Sequence, residues 1–172
     1  MGPSELLKKQ HKIGIQLYSL RDIIVKDVKG VINKVSRAGY KEVELYGMTA
    51  QQTYFGLTAK EFAALLKQNN LTSPSGHYLP EKFLFENGKD DEIKKLCDVG
   101  HMMGHSYIVI PWMSEERRKT IDQYKKLAGL INKAGEICKA SNLQLAYHNH
   151  DFEFADMQGQ KGYDILLNET DS

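Results

Sequence analysis

Short apolar runs suited to strands alternate with helical stripes along the whole chain, and this alternation limits the available folds more than any other feature. The runs begin near residues 12, 41, 71, 107 and 143, so a strand-plus-helix unit recurs every 29 to 36 residues. They read KIGIQLY (Lys12–Tyr18), KEVELY (Lys41–Tyr46), LTSPSGHY (Leu71–Tyr78), YIVIP (Tyr107–Pro111) and LQLAYH (Leu143–His148). Between them, Val28, Val31, Ile32 and Val35 recur at helical spacing up to Gly39. Thr58 and Glu61 form a capping box ahead of Phe62, Leu65 and Leu66. Asp90, Asp91 and Glu92 suit the positive end of a helix dipole. Ser114 is the expected cap of a long helix carrying Ile121, Tyr124, Ala128, Ile131 and Cys138. A polar loop over 151–162 then leads to a short helix from Tyr163. Pro74 and Gly76 mark the third strand as an edge or the site of a bulge. Repeated strand–helix–strand units give a parallel sheet covered by helices.

Two α/β architectures fit five such units. One is a (β/α)8 TIM-type barrel truncated after its fifth strand, because a whole barrel takes about 250 residues. The other is a complete five-stranded doubly wound open sheet. That second type grips phosphate with a glycine-rich turn after strand one, whereas this turn reads Ser19-Leu20-Arg21-Asp22. With 172 residues, 41% of them hydrophobic, the chain can bury one sizeable core. Residues 12–172 are expected to form that single domain, behind a disordered or tag-like segment over 1–11.

A net charge of +1 gives no support for a nucleic-acid partner. No run approaches the ~20 apolar residues needed to span a bilayer, so no membrane association is expected. The start has no apolar leader core. The expected location is therefore cytoplasmic, or periplasmic if a leader was removed. Cys97 and Cys138 lie outside any zinc spacing and read as buried thiols.

Sites in parallel α/β folds form at the carboxyl ends of the strands, and chemistry gathers there. Gln16 and Tyr18 end strand one, with Arg21 beyond; Glu44 and Tyr46 end strand two; His77 and Tyr78 end strand three. Trp112 follows strand four, and His148, Asn149, His150, Asp151 and Glu153 follow strand five. Carboxylates, imidazoles and amides beside aromatic rings suit a sugar. In His148-Asn149-His150 the two imidazoles stand at i and i+2, so both can approach one point as metal ligands or proton carriers; equally, one can hydrogen-bond a loop. Glu44 is either a base or ligand, or the partner of an arginine such as Arg21. Trp112 is a ring platform or ordinary packing, and Glu153 either reaches back to the site or is solvated. His77 is a structural or a proton-transfer residue.

Four segments, IGIQLYSLRD (13–22), KEVELYG (41–47), SGHY (75–78) and LAYHNHDFEF (145–154), resemble the sugar phosphate isomerase/epimerase group of xylose isomerase-like TIM barrels. The resemblance runs from about Lys12 to the end and favours the barrel. It implies one divalent metal at the barrel mouth (Mn, Mg, Co or Zn) and metal-assisted enolisation of a sugar, sugar phosphate or cyclitol. It implies His77 and His150 as catalytic residues and His148, His150 and Glu153 as metal ligands. Gln16, Tyr18, Arg21, Glu44, Trp112 and Asn149 would bind substrate. Two departures stand out: His148 occupies the position of a usual Glu, and strands six to eight, with their ligands and a second proton-moving carboxylate, are absent. A related lyase or dehydratase, or a non-catalytic carbohydrate-binding barrel, are the alternatives. Open edges at strands one and five lead to the expectation that copies associate through them.

Overall fold

The computed structural model describes residues 12–86 and 88–171; the expected tag-like segment over 1–11 lies outside them. Its main sheet has five strands, β1 (Gly14–Gln16), β2 (Glu42–Leu45), β5 (Thr72–His77), β6 (Tyr107–Ile110) and β7 (Gln144–Tyr147). They lie in the order β1-β2-β5-β6-β7, with every pairing parallel. A small antiparallel hairpin, β3 (Thr53–Tyr54) and β4 (Leu57–Thr58), stands apart. Apart from that hairpin, neighbours in the sheet are neighbours in the chain. A doubly wound sheet must reverse direction at a switch point, and this one never does. The open-sheet alternative is thereby excluded, and the fold is a partial α/β TIM-type barrel of five βα units.

The helices are α1 (Arg21–Ile24), α2 (Val28–Arg37), α3 (Ala59–Gln68), α4 (Glu81–Phe85), α5 (Asp91–Met103), α6 (Ile121–Ala140) and α7 (Gly162–Glu169). The Thr58–Glu61 capping box starts α3 as expected. The cap of α6 is Thr120, in a reciprocal box with Gln123. Ser114 instead precedes a 3-10 turn and caps nothing; the Thr-x-x-Gln pattern nearer the apolar stripe satisfies the free amides that Ser114 is too distant to reach. Among the described residues, no helix is long and apolar enough to cross a membrane.

Period-two alternation divides each strand between two faces. Ile15, Val43, Leu45, Ile108 and Ile110 point toward the helices, where Val43, Leu45, Ile108 and Ile110 are buried. The paired positions Gln16, Glu44 and Ser75, with His77 two residues on, face the concave side. The third strand, β5, is central and not an edge, and its register against β2 shifts between Glu42 and Glu44. Pro74 is tolerated at that irregularity because a bulge frees it from the regular ladder. At Gly76 a Cβ would lie 2.8 Å from His105 Nε2 and Tyr78 Oη, so only glycine lets these groups approach.

That approach completes a buried polar chain behind the sheet. Tyr54 Oη lies 2.6 Å from Tyr78 Oη, which lies 2.7 Å from His105 Nε2, and His105 Nδ1 meets the Ser73 carbonyl at 2.6 Å. With the backbone carbonyl as acceptor, Nδ1 carries the proton and Nε2 accepts from Tyr78. The chain fastens the β3–β4 hairpin to the sheet. Between α5 and α6, Cys97 and Cys138 are both buried with sulfurs 3.9 Å apart. Burial pushes the Cys138 thiol up to about 12.

Burial also lowers the His105 pKa below its ordinary 6.5, outweighing the Ser73 hydrogen bond, which raises it. A depressed folded-state pKa means that the unfolded chain binds protons more readily. The contribution of His105 is therefore complete above pH 6.5 and declines as pH falls through the lowered folded value. Melting temperature should be flat above pH 6.5 and fall below it, with His105→Gln flattening the acid limb. A native-chain acid limb no steeper than that of the variant would contradict this account.

Candidate functional site

The concave, carboxyl-end side of the sheet opens into a cleft of about 1380 Å³. Its floor is built by adjacent strands. Parallel pairing places Gln16 beside Glu44 and Glu44 beside Ser75, and the pleat returns His77 to the same face. His77 Nε2 lies 3.0 Å from Glu44 Oε1, and the Ser75 hydroxyl donates to Glu44 Oε2 at 2.6 Å. The Gln16 amide meets His77 Nδ1 at 3.2 Å. This pattern assigns the tautomer: Nε2–H donates to the carboxylate, and Nδ1 presents its lone pair to the Gln16 amide. The hydrogen bond from His77 holds the Glu44 carboxyl below its ordinary value, against burial, which raises it. The His77 side chain is only 9% exposed, while Glu44 is 29% exposed.

Beyond β7 the imidazoles continue the floor. The His148 amide donates to the Ile110 carbonyl at 2.9 Å, which extends the ladder by one residue. Its ring centre lies 5.1 Å from that of His77 and 4.8 Å from that of His150. Burial, followed by its two imidazole neighbours, lowers the His148 pKa. His150 stacks on Phe152 at 5.2 Å with rings only 10° apart, and the Arg118 guanidinium covers Phe152 at 3.6 Å.

Of the ten residues given catalytic, substrate or metal roles, seven line this cleft: Gln16, Tyr18, Glu44, His77, Trp112, His148 and His150. Three do not. Arg21 points its guanidinium to the Tyr18 carbonyl at 3.1 Å and over the Tyr18 ring at 4.7 Å, so Glu44 pairs with His77 and not with an arginine. Asn149 is exposed and meets only the neighbouring His150 carbonyl, at 3.5 Å. Glu153 is fully buried. It accepts from Tyr147 Oη and from the His150 amide, each at 2.6 Å. Its carboxylate thus braces the loop that carries the two histidines. Ser75 and Phe152 were not singled out in the sequence. Ser75 was findable, since it stands two residues before His77 on one strand face; Phe152 and its Arg118 cover join across 34 residues and leave no local trace.

Among the described residues the donors do not by themselves make up a divalent metal centre. Both Glu153 oxygens are already engaged. Among the described residues, no three His, Cys, Asp or Glu side chains form a set that could hold a metal ion. A catalytic zinc takes three protein donors and leaves its fourth position to water or substrate.

Parallel strands in sequential order, outer helices and a cleft at the carboxyl ends define a partial TIM-type barrel. The chain belongs to the xylose isomerase-like TIM barrel family, whose sequence profile matches residues 32–166. A sugar phosphate isomerase/epimerase from Parabacteroides distasonis ATCC 8503 superposes with a TM-score of 0.80 at 28% identity, covering 93% of this chain and 62% of that one. The probable 3-DHS dehydratase AsbF from Bacillus anthracis, involved in petrobactin synthesis, aligns at 0.67 with 15% identity, covering 94% and 60%. The IOLI protein, solved with a binding zinc atom, aligns at 0.58 with 14% identity, covering 79% and 50%. The last two share the fold. This chain spans about three-fifths of the length of the Parabacteroides relative. No curated protein matches it.

Proposed function

We propose that the chain forms the substrate-binding and proton-transferring floor of a sugar isomerase or epimerase. The observation that carries this reading is the Glu44–His77 pair, 3.0 Å apart at the base of the cleft. Glu44 fixes the His77 tautomer and stabilises the imidazolium that forms when Nδ1 takes a proton. A substrate hydroxyl that displaces the Gln16 amide meets the Nδ1 lone pair. His148 and His150, beside it, accept or donate to neighbouring hydroxyls, with His150 as a second proton carrier. Trp112 provides a ring face.

A second reading, a carbohydrate-binding barrel without turnover, uses the same floor residues to hold the sugar. The two part on one assay. Proton transfer through His77 takes the C–H hydrogen off as a proton, so a protein carrying the whole barrel should wash deuterium from solvent into a ketose next to its carbonyl. Binding without any exchange would overturn the enzyme reading in favour of the second. Association of copies through β1 and β7, the outer strands of the sheet among the described residues, is the corresponding proposal for assembly. Ile13, immediately before β1, is 66% exposed. Native mass spectrometry should find a dimer or larger species, and a monomer alone would overturn it.

A further inference from the structure

We infer that Arg118 is a positioning residue for His150: through Phe152 it fixes the imidazole that acts as second proton carrier. This rests on the proton-transfer reading of the site. The contacts that carry it lie wholly between the loop after β6 and the loop after β7, and do not depend on how far the cleft extends. His150 is exposed, as are its neighbours His148 and Asn149. The Glu153 carboxylate holds its backbone amide at 2.6 Å, but an amide bond leaves the side-chain torsions free among their rotamers. Aromatic contact orders the ring itself. Its plane lies within 10° of that of Phe152, with centres 5.2 Å apart, whereas the exposed His148 ring stands nearly perpendicular to it.

Phe152 is half-buried in the 3-10 turn Phe152–Phe154 and is steadied from the neighbouring loop. The Arg118 guanidinium carbon lies 3.6 Å from its ring centre, well within cation–π range. The Arg118 Nε–H donates at the same time to the Met113 carbonyl at 3.2 Å, and Met113, next to Trp112, is buried. A planar guanidinium can lie on a ring and still offer a donor along its edge, a geometry that the point charge of a lysine does not reproduce. The contacts therefore run from a buried anchor through guanidinium and phenyl to the imidazole. Arg117 makes the same kind of contact elsewhere, 4.9 Å from the Phe85 ring and 3.4 Å from the Phe85 carbonyl. Of the two adjacent arginines, Arg118 is the one that serves the histidine loop.

The test compares the His150 ring signals by NMR in the native chain, Arg118→Met, Arg118→Lys and Arg117→Met. The spectra are taken at about pH 8.5, where imidazoles are neutral, and a His150→Gln chain assigns the signals. In the native chain the ring current of Phe152 should displace them from free-histidine positions. Arg118→Met, which keeps an apolar stem, should return them toward those positions and leave the His77 signals in place. Arg118→Lys should return them part of the way, and Arg117→Met not at all. In a protein carrying the whole barrel, Arg118→Met should slow deuterium exchange into a ketose by about three- to thirty-fold, the loss of oriented imidazole that one cation–π contact can cause. Unmoved His150 signals in Arg118→Met would overturn the proposal. So would His77 and His150 signals that move together, Arg117→Met acting like Arg118→Met, or an unchanged exchange rate despite moved signals. If Arg118→Met does not fold, Arg118→Lys decides by the same signals. An unaltered protein that exchanges no deuterium would overturn the enzyme reading, while the ring signals still decide what holds His150.

Discussion

Glu44→Gln should slow proton exchange into a ketose by about 10²–10⁴-fold in a protein carrying the whole barrel, the span associated with general acid–base assistance. The amide keeps the size of the side chain and can still accept from the His77 Nε2–H. What it loses is the negative charge 3.0 Å from the imidazole, and with it the stabilisation of the imidazolium formed as Nδ1 takes the proton. Ser75, which donates to the other oxygen at 2.6 Å, remains able to bond the amide oxygen or nitrogen. The fold should therefore be little affected, and the thermal melt should shift by no more than a few degrees. Deuterium wash-in followed by NMR separates the two effects. An exchange rate within a factor of two of the parent would remove Glu44 from the proton-transfer machinery.

The largest stability effect should come from Phe62→Ala. Phe62 is fully buried on α3 and stacks on Tyr54 at 5.3 Å, with ring planes 27° apart. Truncating a buried Phe to Ala costs about 3–5 kcal/mol, because the lost transfer energy is joined by the cavity left behind. Set against a typical total of about 5–15 kcal/mol, that is a large share. Each kcal/mol lowers the melting temperature of a chain this size by roughly 2–4 °C. Urea denaturation should show a lower midpoint at unchanged slope, and Phe62→Leu should recover most of the loss. A cost below about 1 kcal/mol would mean that the pocket collapses freely around the missing ring.

Which parts of this molecule the sequence could reveal follows from the range over which each signal acts. The five strands were legible because period-two and period-3.6 patterns are local; expected starts at 41, 71 and 107 meet observed ones at 42, 72 and 107. Periodicity could not choose between barrel and open sheet, since both carry the same local pattern and differ only in which strands pair; the resemblance of four segments favoured the barrel, and the strand order bears it out. The β3–β4 hairpin escaped notice because two-residue strands offer no alternation to detect. Its turn depends on Phe55 and Gly56 holding positive φ values of 52° and 86°.

At the site, residue type and strand position were enough to bring Gln16, Glu44, His77, Trp112, His148 and His150 to one cleft. Partner choice was beyond reach. Glu44 lies 23 residues from Arg21 and 33 from His77, and only the β2–β5 register selects the imidazole. The burial of Glu153 was hidden for a similar reason. Polar neighbours in the sequence suggested a solvated loop, yet the 3-10 turn over Phe152–Phe154 folds its carboxylate beneath the His150 amide.

The two cysteines between α5 and α6 give the chain an internal gauge of its own breathing. They are its only thiols, both are buried, and a thiol held near 12 is inert toward alkylating reagents while the helices stay together. Modification can then proceed only through openings that part α5 from α6. The labelling rate therefore measures the free energy of that local excursion, and its comparison with global unfolding tells whether this helical layer detaches alone or only with the whole sheet.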